Sequence, residues 1–275
     1  ELGGRPFPYP LVHATVAGRP TRLIVDTGAS HTVLARWLVD AAEVETQATD
    51  QLGQGHAGEI IAVEHVPDPQ LAIESWGDLQ GAVLAVAMPQ LFQELGLGGI
   101  LSPQSLGVAG GVAVVDLVAA ELSWESIASN EVHSGLSRAD ANLGSIDVCP
   151  VDGPTRGAVF IVGAEVGGVP SRLAIDTGAN RTDVLAQTPA GRALSPASTP
   201  GDEAYTAGGK VTSRRAQDTL VQLAAVRERL DVAIVPGRAS GRCARDGHLG
   251  LDVLSRCVLW LSLDAGHVAC LPVQK

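Results

Sequence analysis

The residues best suited to chemistry in this chain are two aspartates, each set in the same tripeptide: Asp26-Thr27-Gly28 and Asp176-Thr177-Gly178. Their surroundings match without a gap. Gly18-Arg19-Pro20-Thr21-Arg22-Leu23-Ile24-Val25 leads into the first, Gly168-Val169-Pro170-Ser171-Arg172-Leu173-Ala174-Ile175 into the second, and Ala29 or Ala179 follows. A duplicated acidic loop supplies two carboxylates that can be brought face to face. Such a pair shares one proton and activates a water molecule held between them. Gly28 and Gly178 leave room for the opposite loop, and the hydroxyls of Thr27 and Thr177 can pin one loop to the other. Asp and Gly also favour ordinary turns, and for one copy that reading would be the better one. It does not explain why both copies keep Thr, Ala and the upstream Pro-x-Arg-Leu pattern.

Each aspartate follows an apolar, β-branched run, so each carboxylate is expected to emerge from a strand into a tight turn. Leu11 to Val16, the turn Ala17-Gly18-Arg19-Pro20 and Thr21 to Val25 read as a hairpin. Phe160 to Val166, the turn at Gly167-Gly168 and Ser171 to Ile175 repeat it. A glycine-rich turn comes next in each half, Gly53-Gln54-Gly55-His56-Ala57-Gly58 in the first and Tyr205-Thr206-Ala207-Gly208-Gly209 in the second. Strands are expected at Leu71 to Ile73, Ala82 to Ala87, Leu220 to Leu223 and Val232 to Val235, with short helices after Ser30, Met88 and Gly250. Gly99-Ile100-Leu101-Ser102-Pro103-Gln104-Ser105-Leu106 aligns with Gly247-His248-Leu249-Gly250-Leu251-Asp252-Val253-Leu254, and an apolar strand ending near Asp116 or Asp264 follows. The fold class expected is all-β, with two related barrel-like lobes. The first spans residues 1–130, a Ser-, Asn- and Gly-rich linker 131–145, and the second lobe 146–275.

With 45% apolar and 18% charged residues the chain is globular. A net charge of −11 argues against nucleic acid or an anionic membrane surface as partner. No apolar run reaches the roughly 20 residues needed to span a bilayer as a helix. The four cysteines, Cys149, Cys243, Cys257 and Cys270, all fall in the second half. An even count points to two disulfides and, with a start at Glu1 and no initiator Met, to an exported protein; buried thiols are the rival reading. Of the three pairings, Cys243 with Cys257 and Cys149 with Cys270 is the expectation. Arg is frequent and Lys scarce (Lys210 and Lys275), which hints at a GC-rich, bacterial source.

Through both Asp-Thr-Gly-Ala loops, both glycine-rich turns and both closing motifs, the chain resembles two-lobed aspartic proteases of the pepsin and retropepsin group. The resemblance implies a monomeric endopeptidase with Asp26 and Asp176 as the catalytic pair and no cofactor. It makes the glycine-rich turns flaps over a cleft that binds polypeptide in extended form, with Gly55, His56, Tyr205 and Gly208 near the substrate. Ser30 and Asn180 would bond the loop or the substrate main chain, and capping of the next segment is an equal alternative for both. Leu249-Gly250 fits the family's closing pattern, whereas the first half has Ser102 where the family has Gly. The pepsin flap Tyr is absent from the first half. Ala29 and Ala179, where pepsins often carry a hydroxyl, point to a less acidic working range than that of gastric enzymes.

Gly53 to Gly58 also matches G-x-G-x-x-G, but no helix pattern follows, so a nucleotide fingerprint is disfavoured. His31 and His56 read as loop histidines that could tune the pair's pH response. Cys243, His248, Cys257, His267 and Cys270 lack zinc-ligand spacing. The second functional reading is a non-catalytic peptide-binding or inhibitor-like relative that keeps the cleft.

Overall fold

The computed structural model describes residues 7–55, 60–74, 76–79, 83–106, 111–126, 143–151, 157–206, 209–223 and 226–271. In the first half, strands β1 (Leu11–Val16) and β2 (Arg19–Val25) form the expected hairpin. Its turn residues Ala17 and Gly18 both have positive φ, 45° and 76°. That twist suits a two-residue hairpin, and Gly167 and Gly168 repeat it at 58° and 81°. Next come β3 (Val33–Ala35), helix α1 (Arg36–Ala41), and the hairpin of β4 (Gln47–Gln54) and β5 (Ile60–Val66). β6 (Leu71–Ile73), β7 (Gly77–Asp78), β8 (Val83–Val86), helix α2 (Gln90–Glu94) and β9 (Leu97–Leu101) follow. β10 (Gly111–Asp116) and β11 (Glu121–Ser126) complete this half.

The second half repeats the series. β12 (Leu143–Val151), β13 (Gly157–Val166), β14 (Val169–Ile175) and β15 (Asp183–Leu185) precede helix α3 (Pro189–Leu194). Then come β16 (Thr199–Thr206), β17 (Gly209–Leu223), β18 (Val226–Val235), β19 (Gly247–Leu249), helix α4 (Leu251–Leu254), β20 (Cys257–Leu261) and β21 (Gly266–Cys270). Helix α3 is not among the expected helices, although Thr188 caps it and Pro189 opens it. β12 begins at Leu143, inside the segment expected to be linker.

Strand order makes the duplication explicit. The nine-stranded sheet runs β4-β5-β8-β3-β9-β2-β1 before adding β6 and β7. The corresponding part of the 12-stranded sheet runs β16-β17-β18-β15-β19-β14-β13. In each, the strand before the aspartate lies parallel to the closing strand, β2 to β9 and β14 to β19. The all-β, two-lobed class expected from the sequence is the one adopted.

The halves also share a sheet. β10 pairs antiparallel with β20, Ala113 opposite Leu261 and Val115 opposite Leu259, and this places β10 and β11 in the second sheet. One face of this region packs Val112, Val114, Trp260 and Ala269 together. The main core runs through both halves and includes Leu23, Leu34, Leu101, Phe160, Leu173, Leu249 and Leu259. With so few aromatics, its close packing rests on aliphatic side chains.

The cysteines form two disulfides, but the pairing differs from the expectation. Cys257 bonds Cys270, and Cys149 bonds Cys243. Antiparallel register places Cys257 directly opposite Cys270 on β20 and β21, which excludes Cys243 as its partner. Among the described residues no helix is long and apolar enough to cross a membrane.

Candidate functional site

The two Asp-Thr-Gly loops meet. Asp26 lies just past the end of β2, and its backbone N–H donates to the carbonyl of Leu101 on β9 at 2.9 Å. Asp176 follows β14 and donates in the same way to Leu249 on β19 at 3.0 Å. The close approach is visible at the glycines. A Cβ added to Gly28 would lie 2.5 Å from the Asp176 carboxyl carbon, and one on Gly178 would lie 2.5 Å from that of Asp26. Any side chain at either position would force the opposing carboxylate to move.

Thr27 and Thr177 lock the loops together reciprocally. The N–H of Thr27 donates to Thr177 Oγ1 at 3.1 Å, and the N–H of Thr177 donates to Thr27 Oγ1 at 3.1 Å. Each hydroxyl in turn donates across to the other half, Thr27 to the Ile175 carbonyl at 2.8 Å and Thr177 to the Val25 carbonyl at 2.6 Å. Both threonines are fully buried. Every polar atom in this knot therefore has a partner, as burial demands.

The carboxylates of Asp26 and Asp176 are hydrogen-bonded to one another. Burial, the charge on Asp176 and that shared bond hold the Asp26 carboxyl well above the ordinary range. N–H groups of Gly28 and Ala29, 2.7 and 3.1 Å from Oδ1, partly offset the rise. Asp176 Oδ1 accepts from Gly178 N–H at 2.9 Å. Two carboxylates at this distance cannot both ionise cheaply, so the pair retains a proton and titrates as a unit.

Behind the loops, each half builds the same support from different side chains. Thr32 Oγ1 accepts the N–H of Ser102 at 3.1 Å, and Thr182 Oγ1 accepts the N–H of Gly250 at 3.2 Å. Ser102 thus fills the place of the closing glycine without loss of packing and is fully buried, though its hydroxyl has no partner among the described residues. Gln104 Nε2 donates to the carbonyls of Ala29 and Ala158, tying the first loop to β13 of the second half. At the aligned position, Asp252 accepts from the N–H and hydroxyl of Thr182.

The other expected residues are distributed less evenly. Ser30 Oγ is bonded to His31 Nδ1 at 2.9 Å, and Asn180 is exposed. His31 lies in the loop between β2 and β3, as expected, but is buried there against Gly157. Gly55 follows the last residue of β4 and is buried, and β4 and β5 pair antiparallel from Gln54 opposite Ile60. Tyr205 lies opposite Lys210 in the β16–β17 hairpin. His56 and Gly208 lie outside the described residues. Cys243, Cys257 and Cys270 are taken by disulfides and His248 by Asp183, so these residues are committed to other bonds than a metal's.

Two residues near the pair escaped the sequence reading. Tyr9 is raised above the usual tyrosine range by burial and by the charges of Asp176 and Asp26. The neighbouring Pro10 carbonyl accepts the N–H of Val25 and fixes that segment against β2. Arg245, in the same half as Asp176, feels the charge of that carboxyl. Neither has a counterpart in the repeat, so comparison of the halves could not single them out.

Residues 12–107 match the family model described as aspartyl protease. That stretch is similar to aspartyl proteases. The matched stretch holds Asp26, both first-half hairpins and the closing motif, and the second half repeats that architecture. Among solved structures, the EIAV protease complexed with the inhibitor HBY-793 aligns at 16% identity and a TM-score of 0.26, covering 37% of this chain and 98% of that one. No curated protein matches.

Proposed function

We propose that this chain is an aspartic endopeptidase that hydrolyses peptide bonds with a water activated between Asp26 and Asp176. The observation that carries this reading is the proton-sharing contact of the two carboxylates, held by the reciprocal threonine bonds. In the reaction, the ionised member takes a proton from the water as it attacks the scissile carbonyl. The protonated member donates a hydrogen bond to the carbonyl oxygen, and the pair then delivers a proton to the leaving amine. Burying two carboxylates against one another is costly. A protein that only bound peptides would have no use for that arrangement, which sets aside the non-catalytic reading.

The substrate lies extended between lobes 1–130 and 146–275, joined by the segment 131–145, whose last residues from Leu143 already belong to β12. Gly55 and Tyr205 stand near the ends of the β4–β5 and β16–β17 hairpins, and His56 and Gly208 complete the set of substrate contacts in this reading. Main-chain hydrogen bonds of the kind an extended strand makes would hold the peptide. Ser30 and Asn180 flank the loops as substrate contacts. The protein acts as a monomer, and its two disulfides are consistent with export.

Cleavage of a peptide library across pH tests the reading. Wild type is expected to cut, and Asp26→Asn and Asp176→Asn should each lose activity by several orders of magnitude while keeping a cooperative melting transition. Activity retained in either variant, or none in wild type at any pH, would sink the proposal.

A further inference from the structure

The two walls beside the aspartates differ in chemistry although their backbones match. Alternate residues of a strand share a face, and residues opposite one another in paired strands share it too. Ile24 precedes Asp26 by two positions, lies opposite Ile100 on β9, and Ile100 lies opposite Val33 on β3. The first-half wall is therefore apolar. In the second half, Ala174 stands opposite His248 on β19, and His248 stands opposite Asp183 on β15. Where the first wall has Ile100 and Val33, the second has a buried His and a buried Asp.

These two residues hold a third. Arg245 Nε donates to His248 Nε2 at 3.0 Å, and His248 Nδ1 lies 3.1 Å from Asp183 Oδ1. Because Nε2 is the acceptor, the proton sits on Nδ1 and is donated to Asp183; the imidazole is neutral and its orientation fixed. Cys243, two residues before Arg245, is tied to Cys149 on β12, which steadies the loop from the other side. The guanidinium is half-buried, and burial pulls it below its ordinary range while Asp176 and Asp183 act to raise it. Its only hydrogen bond to a described residue is the one from Nε. Asp183, the acid that could have neutralised it directly, is bonded to the imidazole instead. A fixed, half-desolvated guanidinium with its terminal nitrogens left over is shaped for a carboxylate, which it can bind through two parallel bonds.

We propose that Arg245 is a specificity-determining residue that receives an acidic side chain of the peptide on the second-half side of the aspartate pair, with His248 and Asp183 as positioning residues. The inference rests on the endopeptidase reading for its substrate. It sets one wall's preference as apolar and the other's as acidic. Without Arg245, a carboxylate there would meet the negative charge of the pair itself.

The test uses matched peptides with apolar residues at the cut and Glu or Gln at each flanking position in turn. Cleavage by wild type and binding to the full-length Asp26→Asn variant, followed by fluorescence anisotropy, are measured side by side. At one position Glu should be preferred by about tenfold or more, in line with a charge-assisted hydrogen bond. Arg245→Gln should erase the preference with little change towards the Gln peptide, Arg245→Lys should restore part of it, and Arg245→Glu should favour Lys at the same position. His248→Phe should weaken the Glu preference while keeping cleavage of the Gln peptide. A Glu-to-Gln ratio near one at every position, or a ratio unchanged in Arg245→Gln, would overturn the proposal and leave the endopeptidase reading intact. If nothing is cleaved, that reading fails, and the binding ratios alone decide the role of Arg245.

Discussion

Asp26 costs the native state something that depends on pH. Its carboxyl holds a proton more tightly folded than unfolded, because burial and Asp176 both oppose the charged form. Below about pH 4, the ordinary carboxylate value, both states are protonated and there is no penalty. As pH rises, the unfolded chain ionises freely while the folded one resists, so stability falls until pH passes the raised folded value. Asp26→Asn should therefore melt higher than wild type at neutral pH, and the difference should close on acidification below about pH 4. Thermal unfolding followed across pH checks this; a gap of equal size at every pH would contradict it. The same contrast separates an aspartate that serves stability from one maintained for chemistry at stability's expense.

At the level of elements, the turn after each strand matters more than the strand itself. Gly28→Ala and Gly178→Ala each introduce a Cβ about 2.5 Å from the opposing carboxyl carbon. Either should abolish cleavage and lower stability by about 1–3 kcal/mol, the usual cost of overpacking, as measured by peptide assay and denaturant unfolding. Full activity in either variant would contradict the observed loop contact. The loops and hairpins were legible in the sequence because the repeat is gap-free from Gly18 to Ala29 and from Gly168 to Ala179. Helix α3 was legible in principle, since Thr188-Pro189 is a helix-opening signal, but its short length hid any period. Pairing of the cysteines was not legible, because it follows from the register of β20 on β21 and from where the loop before β19 returns to β12. Nor was Arg245: its orientation depends on a bond to His248 that only the assembled sheet creates.

For the whole molecule, the sheet shared by β10 and β20 means that sequence halves and structural halves do not coincide. Cys257 lies on β20, next to β10. Loss of the Cys257–Cys270 link should thus reduce hydrogen-exchange protection in residues 111–126 as well as in the second half, and spare β1 to β9. The Cys149–Cys243 bond closes a longer loop, with a sequence separation of 94 against 13. By chain entropy its removal should cost more, about 4.7 against roughly 3 kcal/mol, as urea unfolding of the two Cys-to-Ser pairs would measure. Equal losses would argue that native strain or residual structure outweighs loop length. The threonine knot carries a further consequence. Thr27 and Thr177 complete each other's hydrogen bonds, so neither loop is satisfied alone, and the site behaves as a dimer contact whose two copies happen to be covalently joined. The connecting chain then acts as a source of effective concentration. Cut between residues 127 and 142, the protein should keep its activity when concentrated and lose it on dilution, whereas the intact chain should show the same specific activity at every concentration.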